Sequence, residues 1–481
     1  MHVSPSGSAR PVPERSRFAE TATVTSLIIT TALFGFSNSM VAPLLPKIQK
    51  AFGAGVGFGG LIFAIALATA GPGTLLIALA AEKFGNRPVL LTVLAMYVCA
   101  SVAVGVSHSV PVMLAARGVQ GLSGALLPCS YAVVRSIYTG RKATRVTAIL
   151  SGALGFAGGI GLFVVGVSNL SYRTFALGWW AGTGLLGFVL VFAFVPSQRP
   201  VAATGPNRVG EVGMFSAGVL LAVLPFLYIR WWMDNPAIGI VSLVVGIALV
   251  AFAPRLAPGR RSTLFTGRDV VVANITNVCA IAGFFGPFIL LPSFLVERYP
   301  KGWLGRGLLP VAIVLLFPSV GSMLGSRLSG RLLARHMRLR DAIVTGGGIT
   351  AAVGLALAAL LPTQLAVLIV ALTLIGMGTG AGFAGLAESL ARSGGVASRT
   401  GTLVAGRYVG GALGGALVAV ILDHRTEGAS LIGSVQLCLL VLAIVQLLGI
   451  ALWAVRASLG AVHRADSPEA GLEVVPAIAD A

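Results

Sequence analysis

The feature that most constrains this sequence is a series of apolar stretches of about 20 residues, separated by short loops that carry Lys and Arg. An α-helix of that length crosses the hydrocarbon core of a bilayer. The composition agrees, because 56% of the residues are hydrophobic and the mean hydropathy is +0.93, although the formal net charge is +19. A soluble nucleic-acid-binding protein could carry that charge but could not be so apolar. The sequence therefore predicts an all-α integral membrane protein whose partner is the lipid bilayer and not a nucleic acid.

The loops between the stretches predict the orientation of the chain. Fourteen stretches are predicted to span the membrane, at residues 21–46, 57–80, 88–106, 110–133, 146–167, 173–195, 212–230, 236–253, 270–296, 305–326, 342–361, 364–387, 401–422 and 430–455. An even number of spans places both termini on one side, and most Lys and Arg residues lie in loops on that side. Because cytoplasmic loops are rich in basic residues, both termini are predicted to be cytoplasmic and the protein to lie in the cell membrane.

Basic and Pro/Gly-rich segments divide the spans into two sets of six, with two spans inserted between them. The predicted parts are a cytoplasmic N-terminal tail at 1–20, a six-helix bundle at 21–195, two inserted linker helices at 212–253, a second six-helix bundle at 270–455 and a cytoplasmic C-terminal tail at 456–481. Two similar halves are a common transporter design, in which one bundle rocks against the other around a site near the membrane midplane.

Glycines recur at four-residue spacing in the thirteenth span, as Gly410, Gly411, Gly414 and Gly415. Small residues let helix backbones approach closely in lipid, so the row predicts a helix–helix interface. Static packing and a surface on which moving helices slide are both open at this point.

The loop after the second span contains Glu82, Lys83, Gly85 and Arg87. Gly85 would permit a tight turn, and a carboxylate beside cations can form contacts that break when the halves move. The pattern resembles the loop signature of the major facilitator superfamily, with Glu82 in place of the usual Asp. The resemblance implies that Glu82, Lys83 and Arg87 latch a cytoplasmic gate. An ordinary basic loop is the alternative. A degenerate copy at 330–338 keeps the bases and lacks the acid.

The fourth span contains Arg117 and Gln120. An arginine at the centre of a span costs about 2.5–3.5 kcal/mol unless it faces a cavity or a partner, so it is a functional candidate. The Arg, Gln and Gly pattern resembles the fourth-helix signature of proton-linked members of the superfamily. The resemblance implies that Arg117 and Gln120 act in coupling. A structural arginine that caps backbone carbonyls is the alternative.

The fourteen spans, the inserted pair and Arg407-Tyr408 before paired glycines resemble the fourteen-helix drug:proton antiporter group, which comprises multidrug exporters. The resemblance implies two six-helix bundles plus two inserted helices. Members commonly carry an aspartate in the first helix, where this chain has Ser37. Of the 15 acidic residues, only Glu388 is predicted near the edge of a span. Whether transport is proton-coupled is therefore open at the sequence level.

The residues predict a transporter and not an enzyme, because the sequence contains no Walker-type phosphate loop, no metal-type Cys/His spacing and no nucleophile–base pair. We expect export of hydrophobic or amphipathic small molecules, such as drugs, antibiotics or natural products. The expected mechanism is alternating access by proton antiport in a monomer, with the proton gradient as energy source and no cofactor or metal. A facilitator or lipid-type carrier without proton coupling is the alternative.

Polar and aromatic residues inside the spans are the candidate substrate contacts, because a mostly apolar pocket with few polar groups suits amphipathic compounds. They are Ser37, Asn38, Asn274, Asn277, Phe284, Phe285, Phe288 and Arg407. Hydrogen bonding between helices or packing against lipid is the alternative for each of them.

Overall fold

The computed structural model describes residues 17–53, 56–138, 140–168, 170–197, 207–227, 236–256, 268–298, 308–392, 396–423 and 431–465. The elements in these ranges are helices and turns, without a strand, which confirms the all-α prediction. The helices are α1 Arg17–Ser39, α2 Val41–Phe52, α3 Val56–Phe84, α4 Asn86–Val106, α5 Val110–Gly121, α6 Leu126–Ile137, α7 Gly140–Val167, α8 Tyr172–Phe194, α9 Asn207–Leu227, α10 Pro236–Phe252, α11 Arg268–Arg298, α12 Leu309–Arg335, α13 Arg340–Leu360, α14 Leu365–Arg392, α15 Val396–Asp423 and α16 Leu431–Ala465.

The described residues contain eleven helices that are long and apolar enough to cross a membrane. Three shorter apolar helices, Phe156–Val167, Gly210–Val223 and Pro236–Phe252, coincide with the predicted fifth, seventh and eighth spans. The chain is thus a multi-pass membrane protein, and the total of fourteen spans stays a prediction. Residues 1–16 and 466–481 of the predicted tails lie outside the described residues, and so do 299–307, which include the start of the predicted tenth span.

Two predicted spans are interrupted in the structure. The first breaks between α1 and α2, because Pro43 has no N–H to donate to the Ser39 carbonyl one turn earlier. The fourth passes through a tighter 3₁₀ turn, Leu122–Ala125, between α5 and α6. Such turns inside a helix often mark a hinge or a functional segment, and this one lies directly after Arg117 and Gln120.

The helices form two groups that meet along two seams. In the first group α1 packs on α7 and α8, and α3 and α4 pack on α5; in the second, α12 and α13 pack on α14, and α15 and α16 pack on α11. The groups meet where α3 packs against α15 and where α7 packs against α12. The inserted helices α9 and α10 pack on each other, and α9 also contacts both α3 and α15. The inserted pair therefore covers one seam.

The glycine row of α15 makes the first seam a close one. Gly410 and Gly414 face the α11 backbone, and a Cβ atom at either position would collide with a carbonyl oxygen there. Gly411 and Gly415 instead face side chains of α3 and α11. In lipid, helix association depends on such close van der Waals packing rather than on the hydrophobic effect. The row therefore packs α15 against α11 of its own group and against α3 of the other group. That the two groups slide on this surface stays a prediction.

Candidate functional site

A small cavity lies between the two groups of helices, enclosed by α1, α3, α4, α5, α8 and α15. Its polar and aromatic lining consists of Ser37, Asn38, Tyr97, Arg117, Gln120, Ser123, Trp180 and Tyr408. Its volume is about 20 Å³, which is enough for a water molecule and far below that of a drug-sized ligand. In this structure the site is therefore closed to a ligand of that size.

Arg117 is the central charge of the cavity. Only 4% of its surface is exposed. Its Nη1 donates to Gln120 Oε1 at 2.5 Å, its Nε donates to the Ile62 carbonyl oxygen at 3.4 Å, and its guanidinium carbon lies 5.8 Å from the centre of the Trp180 ring. A spacing of three residues places Arg117 and Gln120 on the same face of α5. The structural alternative was an arginine that caps backbone carbonyls. Among the described residues, Arg117 caps one carbonyl, that of Ile62, and this hydrogen bond is long.

A chain of hydrogen bonds holds Gln120 in this orientation. Its Nε2 donates to Ser101 Oγ at 2.8 Å, and Ser101 Oγ donates to the Tyr97 carbonyl oxygen at 2.7 Å. The Ser123 hydroxyl donates to the Gln120 carbonyl oxygen. Because the amide nitrogen is fixed by Ser101, the amide oxygen must point at Arg117.

The glycines after Arg117 explain how α5 comes so close to α3. Thr69 Oγ1 on α3 donates to the Gly118 carbonyl oxygen at 2.7 Å. A Cβ atom at Gly121 would collide with the Ala66 carbonyl oxygen and with Thr69 Oγ1. Glycine is therefore required at 121, and this close crossing brings Arg117 within reach of the Ile62 carbonyl.

Ser37 stands where members of the fourteen-helix group carry an acid. It is buried, lines the cavity and shares a 2.5 Å hydrogen bond with the hydroxyl of Thr183 on α8. Thr183 also lines an apolar groove of about 530 Å³ between α1, α7 and α8. Asn38 is exposed and lines the cavity next to Ser37. Ser37 and Asn38 thus lie at the cavity, and a substrate contact stays a prediction for both.

Asn274 and Asn277 join α11 to α15. Asn274 Nδ2 donates to the Val270 carbonyl oxygen at 2.9 Å and to Thr402 Oγ1 at 3.4 Å, whereas Asn277 Nδ2 donates to the Leu403 carbonyl oxygen at 2.8 Å. These bonds match the alternative of hydrogen bonding between helices. Neither residue belongs to the described cavity lining, so a substrate contact stays a prediction for both.

The predicted phenylalanines form one aromatic cluster on α11. Ring centres lie 5.2 Å apart for Phe284 and Phe285, 5.4 Å for Phe284 and Phe288, and 5.8 Å for Phe285 and Phe288. Phe285 also contacts Phe63 of α3, with ring centres 5.9 Å apart. The cluster therefore extends across the seam between the two groups and lies outside the described cavity lining.

Arg407 and Tyr408 of α15 face different surroundings. The Arg407 guanidinium carbon lies 5.6 Å from the centre of the Phe383 ring, within its own group of helices. Tyr408 lines the cavity, and its hydroxyl donates to the Gly124 carbonyl oxygen of the other group at 3.4 Å. In this closed arrangement, Tyr408 and not Arg407 is the residue through which α15 contributes to the cavity.

The loop between α3 and α4 is tied to the end of α8. Gly85 has a φ of +90°, which favours glycine, and its N–H donates to the Ala81 carbonyl oxygen at 2.9 Å. Arg87 Nη2 donates to the Phe192 carbonyl oxygen at 2.6 Å. Lys83 is exposed and lies over the neighbouring Phe84 ring, and Glu82 is half-buried. These contacts lie within one group of helices, so the latching role stays a prediction.

Sequence reasoning missed an ionic cluster in the second group. Arg456 Nε lies 2.7 Å from Asp269 Oδ1, and Arg456 Nη1 lies 3.4 Å from Asp341 Oδ1. The cluster joins α16, α11 and α13. The degenerate loop copy lacks an acid at Ala334, but Asp341 follows at the start of α13. Arg456 is the first residue of the predicted cytoplasmic C-terminal tail, and α16 continues through it to Ala465.

Acidic residues are absent from the described lining of the cavity. A buried acid lies outside this lining, at Glu211 on the inserted helix α9, which is 0% exposed. The expectation that only Glu388 lies near the edge of a span is therefore wrong, because α9 begins at Asn207 and includes Glu211. The side chain of Glu388 lies outside the described part of the structure.

Comparisons with known proteins agree with this architecture. The model of the Major Facilitator Superfamily matches residues 27–419. The Multidrug resistance protein B homolog of Mycobacterium tuberculosis is 26% identical over 396 residues, covering 74% of this chain and 68% of that protein. The Multidrug transporter protein MdtP of Bacillus subtilis is 25% identical over 391 residues, covering 76% and 68%. The crystal structure of the human organic anion transporter MFSD10 (TETRAN) matches with a TM-score of 0.61 and 17% identity, covering 90% of this chain and 99% of that chain, which shows the shared fold alone. The chain belongs to the major facilitator superfamily and is a membrane transporter rather than an enzyme, as the sequence predicted.

Proposed function

We propose that this protein exports hydrophobic or amphipathic small molecules across the cell membrane by alternating access, as a monomer with both termini in the cytoplasm. The observation that carries the proposal is the enclosed cavity between the two groups of helices, lined by Arg117 from one group and Tyr408 from the other. A site shared by two bundles opens to either side when they rock. Relatives named for multidrug resistance or multidrug transport support a drug-like substrate.

The closed cavity must widen before it can accept such a compound. The contacts to be broken are those that cross the seams, including the Tyr408 hydroxyl on Gly124 and the Phe285 ring against Phe63. Both are weak individually, one a 3.4 Å hydrogen bond and the other an aromatic contact. Opening must also separate the helix packing of α3 on α15 and of α7 on α12, so substrate binding has to offset more than these two contacts.

The proton gradient is the proposed energy source. A proton antiporter needs a titratable group whose affinity for protons changes during the cycle. Glu211 is the candidate carboxylate, because it is fully buried on α9, a helix that contacts both α3 and α15. A carrier without proton coupling is the second candidate function, favoured by a cavity that has Ser37 and no described carboxylate.

The test is transport by the purified protein in proteoliposomes, with a panel of fluorescent amphipathic compounds and a pH-sensitive dye on the trapped side. Tyr408→Ala should reduce transport at least tenfold, whereas Tyr138→Ala, at the end of α6 and outside the cavity lining, should not. Transport with proton movement supports antiport. Transport without it supports the uncoupled carrier, and no transport of any compound contradicts the proposed function.

A further inference from the structure

The charged residues that line the cavity are of one sign. Arg117 is its charged residue, and the described lining contains no Asp or Glu. The groups that Arg117 contacts are a side-chain amide oxygen, a backbone carbonyl oxygen and the face of an indole ring. These are neutral groups, so they orient the guanidinium without cancelling its charge. The closed cavity thus keeps a positive charge in surroundings of low dielectric constant.

One buried donor among the residues that line the cavity is left without an acceptor. Arg117 donates through Nε and Nη1 to the Ile62 carbonyl oxygen and to Gln120 Oε1. Trp180 is only 1% exposed, lines the cavity, and its Nε1–H has no hydrogen-bond partner among the described residues. Buried polar groups are normally hydrogen-bonded in folded proteins. An acceptor for the indole N–H of Trp180 is therefore the missing partner, and the Arg117 guanidinium carbon lies 5.8 Å from the centre of the same ring.

We infer that the cavity binds the anionic group of an amphipathic substrate, a sulfonate, carboxylate or similar oxyanion, through the guanidinium of Arg117 and the indole N–H of Trp180. The inference rests on the proposed transport function and names the charge of its substrate. An oxyanion accepts several charge-assisted hydrogen bonds and pairs with the buried charge. A cationic compound would meet Arg117 with no acid beside it and would be repelled.

The apolar part of the site suits the rest of such a molecule. The lining next to Arg117 includes Phe34, Leu67 and the Tyr408 ring. Once the two groups of helices separate, an apolar skeleton could lie along these residues while its anionic head binds Arg117. An anion is also driven out of a cell whose interior is electrically negative. Export of an anion therefore has a driving force even where the cavity offers no acid for proton exchange.

The experiment compares three pyrene derivatives in proteoliposomes: a sulfonate, the matching neutral sulfonamide and the matching trimethylammonium compound. They share one apolar skeleton. Permanent charge prevents passive leakage of the sulfonate and the trimethylammonium compound, and liposomes without protein give the leak of the sulfonamide, which is subtracted. We expect the sulfonate to be transported at least tenfold faster than the trimethylammonium compound. An interior-negative potential, set with valinomycin and potassium, should accelerate the sulfonate and leave the sulfonamide unchanged.

Variants of Arg117 and Trp180 test whether these two side chains produce the preference for the sulfonate. Arg117→Gln should bring sulfonate transport down to the rate of the sulfonamide, whereas Arg117→Lys should keep the preference. Trp180→Phe keeps the ring and removes the N–H, so it should raise the KM for the sulfonate several-fold and leave the sulfonamide KM unchanged. Arg327→Gln changes an exposed arginine of α12 and is the matched control. Sulfonamide transport by each variant shows that it is folded.

The outcomes separate this inference from the proposed function. The inference is overturned if the trimethylammonium compound is transported faster than the sulfonate, or if Arg117→Gln keeps the same preference for the sulfonate as the wild-type protein. The proposed export function stands in both cases. Failure of all compounds, including the wider panel, contradicts the proposed function and the inference together. A fluorescent phosphatidylglycerol in the same membranes distinguishes the source of the anion: its movement between leaflets, with no sulfonate transport, would identify a lipid headgroup rather than a free organic anion.

Discussion

The Tyr408 hydroxyl donates to the Gly124 carbonyl oxygen at 3.4 Å, across the seam between the two groups of helices. Gly124 lies in the 3₁₀ turn that follows Arg117 on the same span, so the contact closes the cavity directly beside its charge. A Cβ atom at Gly124 would lie 3.1 Å from the Tyr408 ring and 3.1 Å from the Ala70 side chain. The absence of a side chain at 124 therefore allows the cavity to close.

Gly124→Val should block closure, because its bulk meets the ring of Tyr408 and the Cβ atom of Ala70. We expect transport in proteoliposomes to fall at least tenfold, with an unchanged elution volume in size-exclusion chromatography. Gly178→Ala is the control, since nothing lies within 4 Å of a Cβ atom there. Full activity of Gly124→Val would show that closure at this contact is not part of the cycle.

Gly121→Ala should destabilise the fold itself. The added methyl group meets the backbone carbonyl of Ala66, which cannot move without displacing α3, and overpacking of this kind costs about 1–3 kcal/mol. Gly346→Ala on α13 meets nothing within 4 Å and should stabilise its helix by about 1 kcal/mol. Thermal unfolding in detergent measures both. An unchanged Tm for Gly121→Ala would contradict the close crossing of α3 and α5.

The sequence predicted those features in which residue type and surroundings conflict. Arg117 was found because an arginine inside an apolar stretch demands an explanation, and the glycine row of α15 because repeated small residues indicate a helix interface. Tyr97, Trp180 and Tyr408 were missed, because an aromatic residue in a span fits lipid, core and cavity equally well.

Contacts between distant parts of the chain also could not be predicted from the sequence. Nothing in the spacing pairs α3 with α15, or places Thr183 against Ser37, because these pairings depend on how whole helices pack. Glu211 was missed for a different reason. The helix begins at Asn207, before the apolar run that marked the seventh span, so a buried acid was assigned to a loop. Helix ends are the least certain part of such a prediction.

Gln120→Glu should cancel the charge of the cavity while changing almost no volume. The new carboxylate keeps its oxygen 2.5 Å from Arg117 Nη1 and forms an ion pair, at the expense of the bond from Nε2 to Ser101. We expect the preference for the pyrene sulfonate to disappear and the trimethylammonium compound to be accepted. Gln364→Glu, at an exposed position before α14, controls for the added negative charge. Sulfonate preference that survives in Gln120→Glu would argue against recognition by charge.

Arg456→Gln should loosen the second group of helices. Its side chain is 13% exposed and binds two carboxylates on two other helices, whereas Asp269 is 61% exposed. Exposed ion pairs contribute about 0–1 kcal/mol each to the free energy of unfolding. Asp269→Asn removes one pair and Arg456→Gln removes both, so Asp269→Asn should destabilise the protein less. Thermal unfolding of both variants checks the order. A larger loss for Asp269→Asn would contradict the bridging role of Arg456.

Glu211→Gln separates the two proposed energy sources. Glutamine has nearly the same shape as glutamate and cannot exchange a proton between pH 5 and 9. An antiporter that uses Glu211 should therefore lose substrate-driven proton movement in this variant. It should still carry substrate down the substrate's own concentration gradient. The pH-sensitive dye in proteoliposomes measures this, with Glu297→Gln at the exposed end of α11 as the control. If the wild-type protein moves protons and Glu211→Gln does so equally, the proton passes through another group. If the wild-type protein transports substrate without moving protons, Glu211 is a structural acid of the inserted helix, and the membrane potential acting on an anionic substrate accounts for export.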